Sequence, residues 1–259
     1  MRLAILADIH GNLAALEAVL DDLGRRGTID LTVNLGDCVS GPLWPADTCR
    51  LLMDRGWPAV RGNHDRAVAF DDVAGMWSSD AFAHAALTTD QRAWLGALPF
   101  LTEFAPGVTA FHGRPENDNR YTLDDIIGGR LVAAPAAKVL MRLGTFAREA
   151  RLILCGHSHQ PRQLQIEGGA LVVNPGSVGC PAYDDPGGIP HVSETGSPHA
   201  RYAIADIRSG TINVDFLAVT YDHAASAKQA ADNGRAEWSH ALATGFAGSN
   251  FGTPACPGR

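Results

Sequence analysis

The sequence predicts an α/β (α+β) protein in which two β-sheets pack together with helices outside, a four-layer αββα sandwich. Three observations predict it. Residues 3–61 alternate strand and helix patterns, which implies parallel pairing with right-handed crossovers. After Pro161 the pattern changes to hairpins, so a second, antiparallel contribution joins the parallel one. Asp, Asn and His gather in five short loops, nearly all directly after a strand-like run. That places a polar site at the carboxyl ends of the strands, where ligands of such sheets bind.

The elements follow in order. Leu3 to Ala7 is a continuous apolar run, the signature of a strand buried on both faces. Asn12 caps the next helix, whose Leu13, Leu16, Leu20 and Leu23 recur at helical spacing. Leu31–Leu35 is a second strand, Pro45 and Asp47 open a helix that ends near Gly56, and Pro58–Arg61 reads as a third strand. Ala67 to Leu98 is mostly helical, anchored by Trp77, Phe82, Trp94 and Leu98. Strands follow at Leu101–Phe104 and Val108–Phe111, joined by Pro106-Gly107. Residues 114–134 are polar and then Gly-rich, an irregular insertion. Ala136–Ala150 reads as a helix and Leu152–Cys155 as a buried strand. Hairpins are expected at 163–173 around Gly168-Gly169 and at 202–219 around Ser209-Gly210. Residues 180–200, rich in Pro, Gly and Asp, read as a surface loop. A C-terminal helix is expected within 221–247, centred on Ala224–Ala243 and weakened by Asn233-Gly234, before a flexible tail over 248–259. The domain itself spans 1–220, with 67–98 and 114–134 as insertions that frame substrate access.

The whole chain narrows the function class. With 259 residues, 46% hydrophobic and 19% charged, it has the composition of an ordinary globular protein with a substantial core. A net charge of −7 leaves no electrostatic footprint for a nucleic-acid polymer or an anionic membrane. No stretch reaches the length of a membrane span. Five scattered cysteines (Cys38, Cys49, Cys155, Cys180 and Cys256) form no CxxC pair, which argues for a reducing compartment. The opening Met1–Ala7 is too short for a signal-peptide core and runs straight into the first polar loop. A cytoplasmic location is expected.

The five loops carry the chemistry: Asp8-Ile9-His10, Gly36-Asp37, Gly62-Asn63-His64-Asp65, His112-Gly113 and Gly156-His157-Ser158-His159. Each alone has an ordinary explanation as a polar turn or a helix cap. Together they deliver seven metal-type ligands and one candidate acid, the donor set that a two-metal hydrolytic centre needs. Oxygen and nitrogen donors mixed in this way suit Mn, Fe or Zn better than Ca. A carboxylate can bridge two cations, and Asp37 is the natural candidate. Five of the ten histidines lie in these loops. The others, His84, His191, His199, His223 and His240, are isolated and read as surface or structural residues.

These motifs resemble the calcineurin-like metallophosphoesterase superfamily, whose signature runs DxH, GD, GNH[DE], His-Gly and GHxH. All five elements occur here in that order, and Asn174-Pro175-Gly176-Ser177 looks like the NPGS segment of the small bacterial members. The match covers about residues 1–219. The family fold, two mixed sheets flanked by helices, agrees with the strand reading. The resemblance implies one metal held by Asp8, His10, Asp37 and His159, and a second held by Asp37, Asn63, His112 and His157. It implies that His64 is catalytic, and that the cofactors are two divalent ions, Mn²⁺ first, with Fe, Zn, Ni or Mg as other choices. The activity implied is hydrolysis of a phosphodiester or phosphoanhydride of a small, nucleotide-like molecule through a metal-bridging hydroxide. The protein phosphatases of this superfamily extend the second motif to GDxVDRG. Here it reads Gly36-Asp37-Cys38-Val39-Ser40-Gly41-Pro42, which points toward the small phosphodiesterases and diadenosine tetraphosphatase-like members. Phosphomonoesterase or protein phosphatase action stays open, as does a non-catalytic scaffold like the retromer subunit that resembles these enzymes. Arg66 and Arg114 read equally as phosphate contacts or surface charges. The oligomeric state is left open.

Overall fold

The structure is a computed structural model that describes residues 1–248. In chain order it contains β1 (Arg2–Leu6), α1 (Leu13–Arg25), β2 (Leu31–Asn34), α2 (Pro45–Arg55), α3 (Asn63–Phe70), α4 (Ser78–Ala86) and α5 (Thr89–Ala97). Next come β3 (Leu101–Ala105), β4 (Val108–Phe111), β5 (Asp124–Ile127), β6 (Arg130–Ala133), α6 (Ala136–Leu143), α7 (Phe146–Glu149) and β7 (Leu152–Leu154). The last are β8 (Arg162–Gln165), β9 (Leu171–Asn174), β10 (Ala182–Asp185), β11 (His191–Glu194), β12 (Ala200–Arg208), β13 (Thr211–Val219), α8 (His223–Asp232) and α9 (Ala236–Thr244).

Strand β1 shows why the layers form. Its side chains alternate across the sheet. Leu3, Ile5 and Ala7 face the second sheet, where they meet Val108, Ala110, Leu152, Leu154 and Val173. Ala4 and Leu6 face the other way, toward Leu16 and Val19 of α1. All five are fully buried, and each Leu or Ile gains roughly 1.5–3 kcal/mol from leaving water. The second sheet repeats the arrangement: Phe111, Ile153 and Val172 pack outward against Val139, Leu143 and Ala147 of α6 and α7. Helices, sheet, sheet and helices are the four expected layers. The sheets run β13-β12-β1-β2 and β3-β4-β7-β9-β8. Within them β1 pairs with β2, and β4, β7 and β9 pair with one another, in parallel. Their carboxyl ends therefore open on shared edges.

A third mixed sheet, β10-β11-β6-β5, corrects the reading of 114–134 and 180–200 as irregular segments. Its strands are four residues long, and β11 meets β6 through the single parallel pair Val192–Arg130. The β11–β6 pair joins segments some sixty residues apart and leaves no local pattern, whereas β5–β6 and β10–β11 are local antiparallel hairpins. Three smaller corrections have equally local causes. The strand expected at 58–61 is a single parallel bridge between Asn34 and Ala59, because Arg61 N–H already turns away to the Pro99 carbonyl. The helix expected over 136–150 breaks into α6 and α7 at Gly144, whose φ is +57°. The helix expected over 224–243 breaks into α8 and α9 next to Gly234, at φ +73°, a conformation open to glycine. The tail expected over 248–259 lies, from 249 on, outside the described residues.

Candidate metal centre

The polar loops stand in strained backbone. Among the described non-glycine residues, positive φ occurs at Asp8 (54°), His10 (53°), Asp37 (54°), His157 (70°) and His159 (58°). All five are residues predicted from sequence as ligands. A left-handed conformation costs an L-residue roughly 1–2 kcal/mol and persists only where the surroundings over-determine it. Here they do. Asp8 N–H donates to Gly36 O at 3.0 Å and His10 N–H to Asp37 O at 2.9 Å, so the loops after β1 and β2 brace each other. His157 N–H points at both oxygens of Asp8, 3.3 and 3.2 Å away. Asp65 is buried and accepts from Asp37 N–H (2.8 Å), Cys38 N–H (2.8 Å) and Gly62 N–H (3.0 Å). It therefore caps α3 and clamps the Asp37 loop with one carboxylate.

These constraints bring the expected residues together in two groups. Donor atoms of Asp8, His10 and His159 lie within 4.8 Å of one another, and so do those of Asp37, His112 and His157. His112 Nε2 lies 3.0 Å from Asp37 Oδ2 and 3.8 Å from Asp8 Oδ1, which makes the two groups neighbours. The tautomers can be read from their partners. His10, His112 and His159 each hold Nδ1 against a carbonyl, of Ser40 (2.6 Å), Leu35 (2.7 Å) and Cys180 (2.7 Å). A carbonyl only accepts, so Nδ1 carries a proton, and in the neutral ring it is the Nε2 lone pair that faces the centre. His10 Nε2 and His159 Nε2 then oppose each other at 3.1 Å, an arrangement that a cation between them relieves. Asn63 Oδ1 is likewise buried without a hydrogen-bond partner. The residues present thus fit divalent cations on the chemistry of their donors.

The charges follow from the same contacts. Burial and neighbouring His159 push the His10 imidazole down to about 4. Burial would lower His112 as well, but Asp37 outweighs it and raises that ring to about 9. Burial would raise Asp37, yet His112 and His64 hold its carboxyl well below the usual range.

His64 and Asn63 lie in the first turn of α3, not at a strand end. His64 N–H donates to Asp37 Oδ1 at 3.0 Å, and its ring approaches His10 to 5.6 Å between centroids. Its Nδ1 lies 2.8 Å from Asp80 Oδ1 on α4. Burial would depress this imidazole, but Asp80 and Asp37 prevail and lift it to about 10.

The family model for the calcineurin-like phosphoesterase superfamily domain matches residues 1–194. The chain belongs to this family. It is a metallophosphoesterase, a hydrolase of phosphoric ester bonds. An uncharacterized protein of Methanocaldococcus jannaschii is 26% identical over 265 residues, covering 91% of this chain and 94% of the relative. A metallophosphoesterase from Sphaerobacter thermophilus has a similar crystal structure, with TM-score 0.71 and 26% identity over 95% of this chain and 99% of the other. A hypothetical protein from Pyrococcus horikoshii shares the fold at TM-score 0.74, with 20% identity over 95% of this chain and 99% of the other.

Several residues around the centre of this metallophosphoesterase escaped the sequence reading. Asp80, 1% exposed, also accepts from Ser40 Oγ at 2.6 Å; nothing in the helical text of 78–86 marks it out. His191, read as isolated, is buried and lies 2.6 Å from the Tyr121 hydroxyl. Tyr121 and Tyr183 stand against the rings of His157 and His159. Trp238 of α9 meets His10 at 5.9 Å, so the C-terminal helices also touch the centre. Arg66 is paired with Asp118 at 2.8 Å, and Arg114 Nε donates to the Tyr121 carbonyl. Burial pushes the Cys38 thiol well up, which leaves it a small neutral core residue. No helix of the described residues is long and apolar enough to cross a membrane.

Proposed function

We propose that this metallophosphoesterase holds two divalent cations and hydrolyses a phosphodiester or phosphoanhydride of a small, nucleotide-like molecule. The observation that carries the reading is the pair of adjacent donor groups, Asp8-His10-His159 and Asp37-His112-His157, with Asp37 in contact with both His112 and the His64 backbone. On this reading Asp37 serves both cations and Asn63 completes the second set with its unpartnered Oδ1. The mixed oxygen and nitrogen donors favour Mn²⁺, with Fe, Zn, Ni or Mg as alternatives. Cations bound there lower the pKa of water and neutralise phosphoryl oxygens. The chain supplies the rest. Asp80 holds Nδ1 of His64, which leaves Nε2 free to give a proton to the leaving oxygen. Ser40-Gly41 stands where the protein phosphatases carry an Asp-Arg pair, which supports a small-molecule substrate, and the Ser40 hydroxyl donates to Asp80. The helices α3–α5 and the third sheet frame access to it. Buried free thiols at Cys38, Cys49, Cys155 and Cys180 fit a cytoplasmic setting.

The test uses metal-stripped protein reloaded separately with Mn²⁺, Fe²⁺, Zn²⁺, Ni²⁺ and Mg²⁺. Each form is assayed on a nitrophenyl phosphodiester, a nitrophenyl phosphomonoester, diadenosine polyphosphates, cyclic nucleotides and a phosphopeptide. Turnover of the diester or the dinucleotides above the monoester and the peptide is expected. Preference for the phosphopeptide overturns the substrate class, and silence on every ester with every metal revives a scaffold role.

A further inference from the structure

The four histidines of the two donor groups are not held alike. His10, His112 and His159 each give Nδ1–H to a backbone carbonyl. The polar contacts of His157 run through its backbone instead: N–H to Asp8, and C=O 3.3 Å from the Tyr183 hydroxyl. Ligating imidazoles almost always have an outer partner that fixes tautomer and ring direction. What lies against the His157 ring, besides His112 at 5.2 Å, is the ring of Tyr121, with centroids 4.8 Å apart and planes inclined by 30°.

Tyr121 is itself pinned. Its hydroxyl lies 2.6 Å from His191 Nε2 and 2.8 Å from the Tyr183 hydroxyl. His191 is 2% exposed, and its Nδ1 sits 2.8 Å from the Ile189 carbonyl. Since a carbonyl only accepts, Nδ1 bears the proton of the neutral ring and Nε2 accepts from Tyr121. The Tyr121 oxygen can then accept from Tyr183, whose ring meets His159 edge-on at 4.7 Å. The chain of bonds runs from the loop before β5 to β10 and β11, so the third sheet holds the Tyr121 ring in place.

We infer that Tyr121 is the positioning residue for His157: its ring fixes the direction of that imidazole, as a backbone carbonyl does for the other three, and His191 and Tyr183 anchor it. The inference rests on the two-metal reading above. It is tested on the full-length protein, stripped and titrated with Mn²⁺ by calorimetry and with Co²⁺ by visible absorption, with folding followed by circular dichroism. Wild type is expected to take two ions. Tyr121→Leu keeps apolar bulk but no ring plane; it is expected to bind the first ion normally and the second 10–100-fold more weakly, with a changed Co²⁺ spectrum for the second ion. Tyr121→Phe keeps the ring but gives up its hydroxyl contacts to His191 and Tyr183, and is expected to fall between wild type and Tyr121→Leu. His191→Leu removes the anchor without touching His157 and is expected to weaken the second ion by a smaller factor, which keeps the question decidable if Tyr121→Leu does not fold. Wild-type binding of the second ion by Tyr121→Leu, or by His191→Leu where only that variant folds, overturns the inference, as does equal weakening of both ions. A wild-type protein that takes fewer than two ions overturns the two-metal reading first.

Discussion

Gly62→Ala tests the idea that close packing, not side-chain chemistry alone, aims the Asp37 carboxylate. Gly62 has φ −82° and ψ 172°, extended backbone that any residue adopts, so the substitution adds a methyl without adding backbone strain. That methyl would stand 2.0 Å from Asp37 Oδ1, 2.7 Å from its Cγ and 2.5 Å from its N. Neither side has room to yield. Gly62 N–H and Asp37 N–H both bind Asp65, at 3.0 and 2.8 Å, and Asp37 Oδ1 accepts from His64 N–H at 3.0 Å. Approaches below 3.0 Å are essentially never seen for a Cβ, so carboxylate and loop must part by about 1 Å, a misplacement that can cost a hundredfold in rate. The overpacking itself costs roughly 1–3 kcal/mol of stability, a fall of about 2–12 °C in melting temperature for a protein of this size. The assay pairs a thermal melt with bound-metal stoichiometry and kcat on a nitrophenyl phosphodiester. Gly24→Ala is the control: a Cβ there meets nothing within 4 Å, and the helix should gain about 0.5–1 kcal/mol with kcat unchanged. A Gly62→Ala protein with wild-type metal stoichiometry and a kcat within about threefold of wild type would refute the reasoning, because a 1 Å displacement should cost far more.

Other outcomes are expected on the same grounds. His64→Ala should keep its metal content yet lose about 10²–10⁴ in kcat; a near-normal kcat with metal confirmed removes His64 from the chemistry. Asp80→Ala should lower kcat by about tenfold or more, since the His64 ring loses the carboxylate 2.8 Å from Nδ1, while metal stoichiometry stays at the wild-type value. Asp65→Ala leaves three backbone N–H groups without their acceptor, so urea unfolding should show a loss of about 3 kcal/mol or more at roughly 1–3 kcal/mol per group. The Asp22 carboxyl is nudged up by burial but held below its ordinary 3.8 by hydrogen bonds from Arg26 and Tyr202. Its contribution is therefore present above pH 3.8 and lost as pH falls through the lower folded value. Asp22→Ala should cost about 1–3 kcal/mol near neutrality, because the Tyr202 hydroxyl loses its 2.7 Å acceptor, and the gap to wild type should narrow in acid melts as the part tied to the carboxylate charge is lost.

The sequence made much of this legible. Leu3–Ala7 and Leu152–Cys155 read as strands because apolar side chains on both faces can only be buried between layers, and they are. The DxH, GD and GHSH elements pointed to one site because polar residues follow β1, β2 and β7 closely. Asn12 read as a helix cap, and its Oδ1 accepts from Ala15 N–H. The third sheet did not show itself, since four-residue strands separated by Pro, Gly and Asp carry too little periodicity. His191 looked isolated because its partner Tyr121 is 70 residues away.

What the sequence by itself determined is the list of donors and the strand ends that deliver them, because side-chain chemistry and apolar periodicity act between chain neighbours. The tertiary structure decided how those donors are aimed. His112 takes its tautomer from a carbonyl 77 residues distant, and His10 faces His159 across 149 residues of sequence. It also decided that Asp80 holds His64 and that Tyr121 covers His157. Hydrogen bonds and ring contacts depend on distances of a few ångströms in space, which only the packing of the sheets brings about.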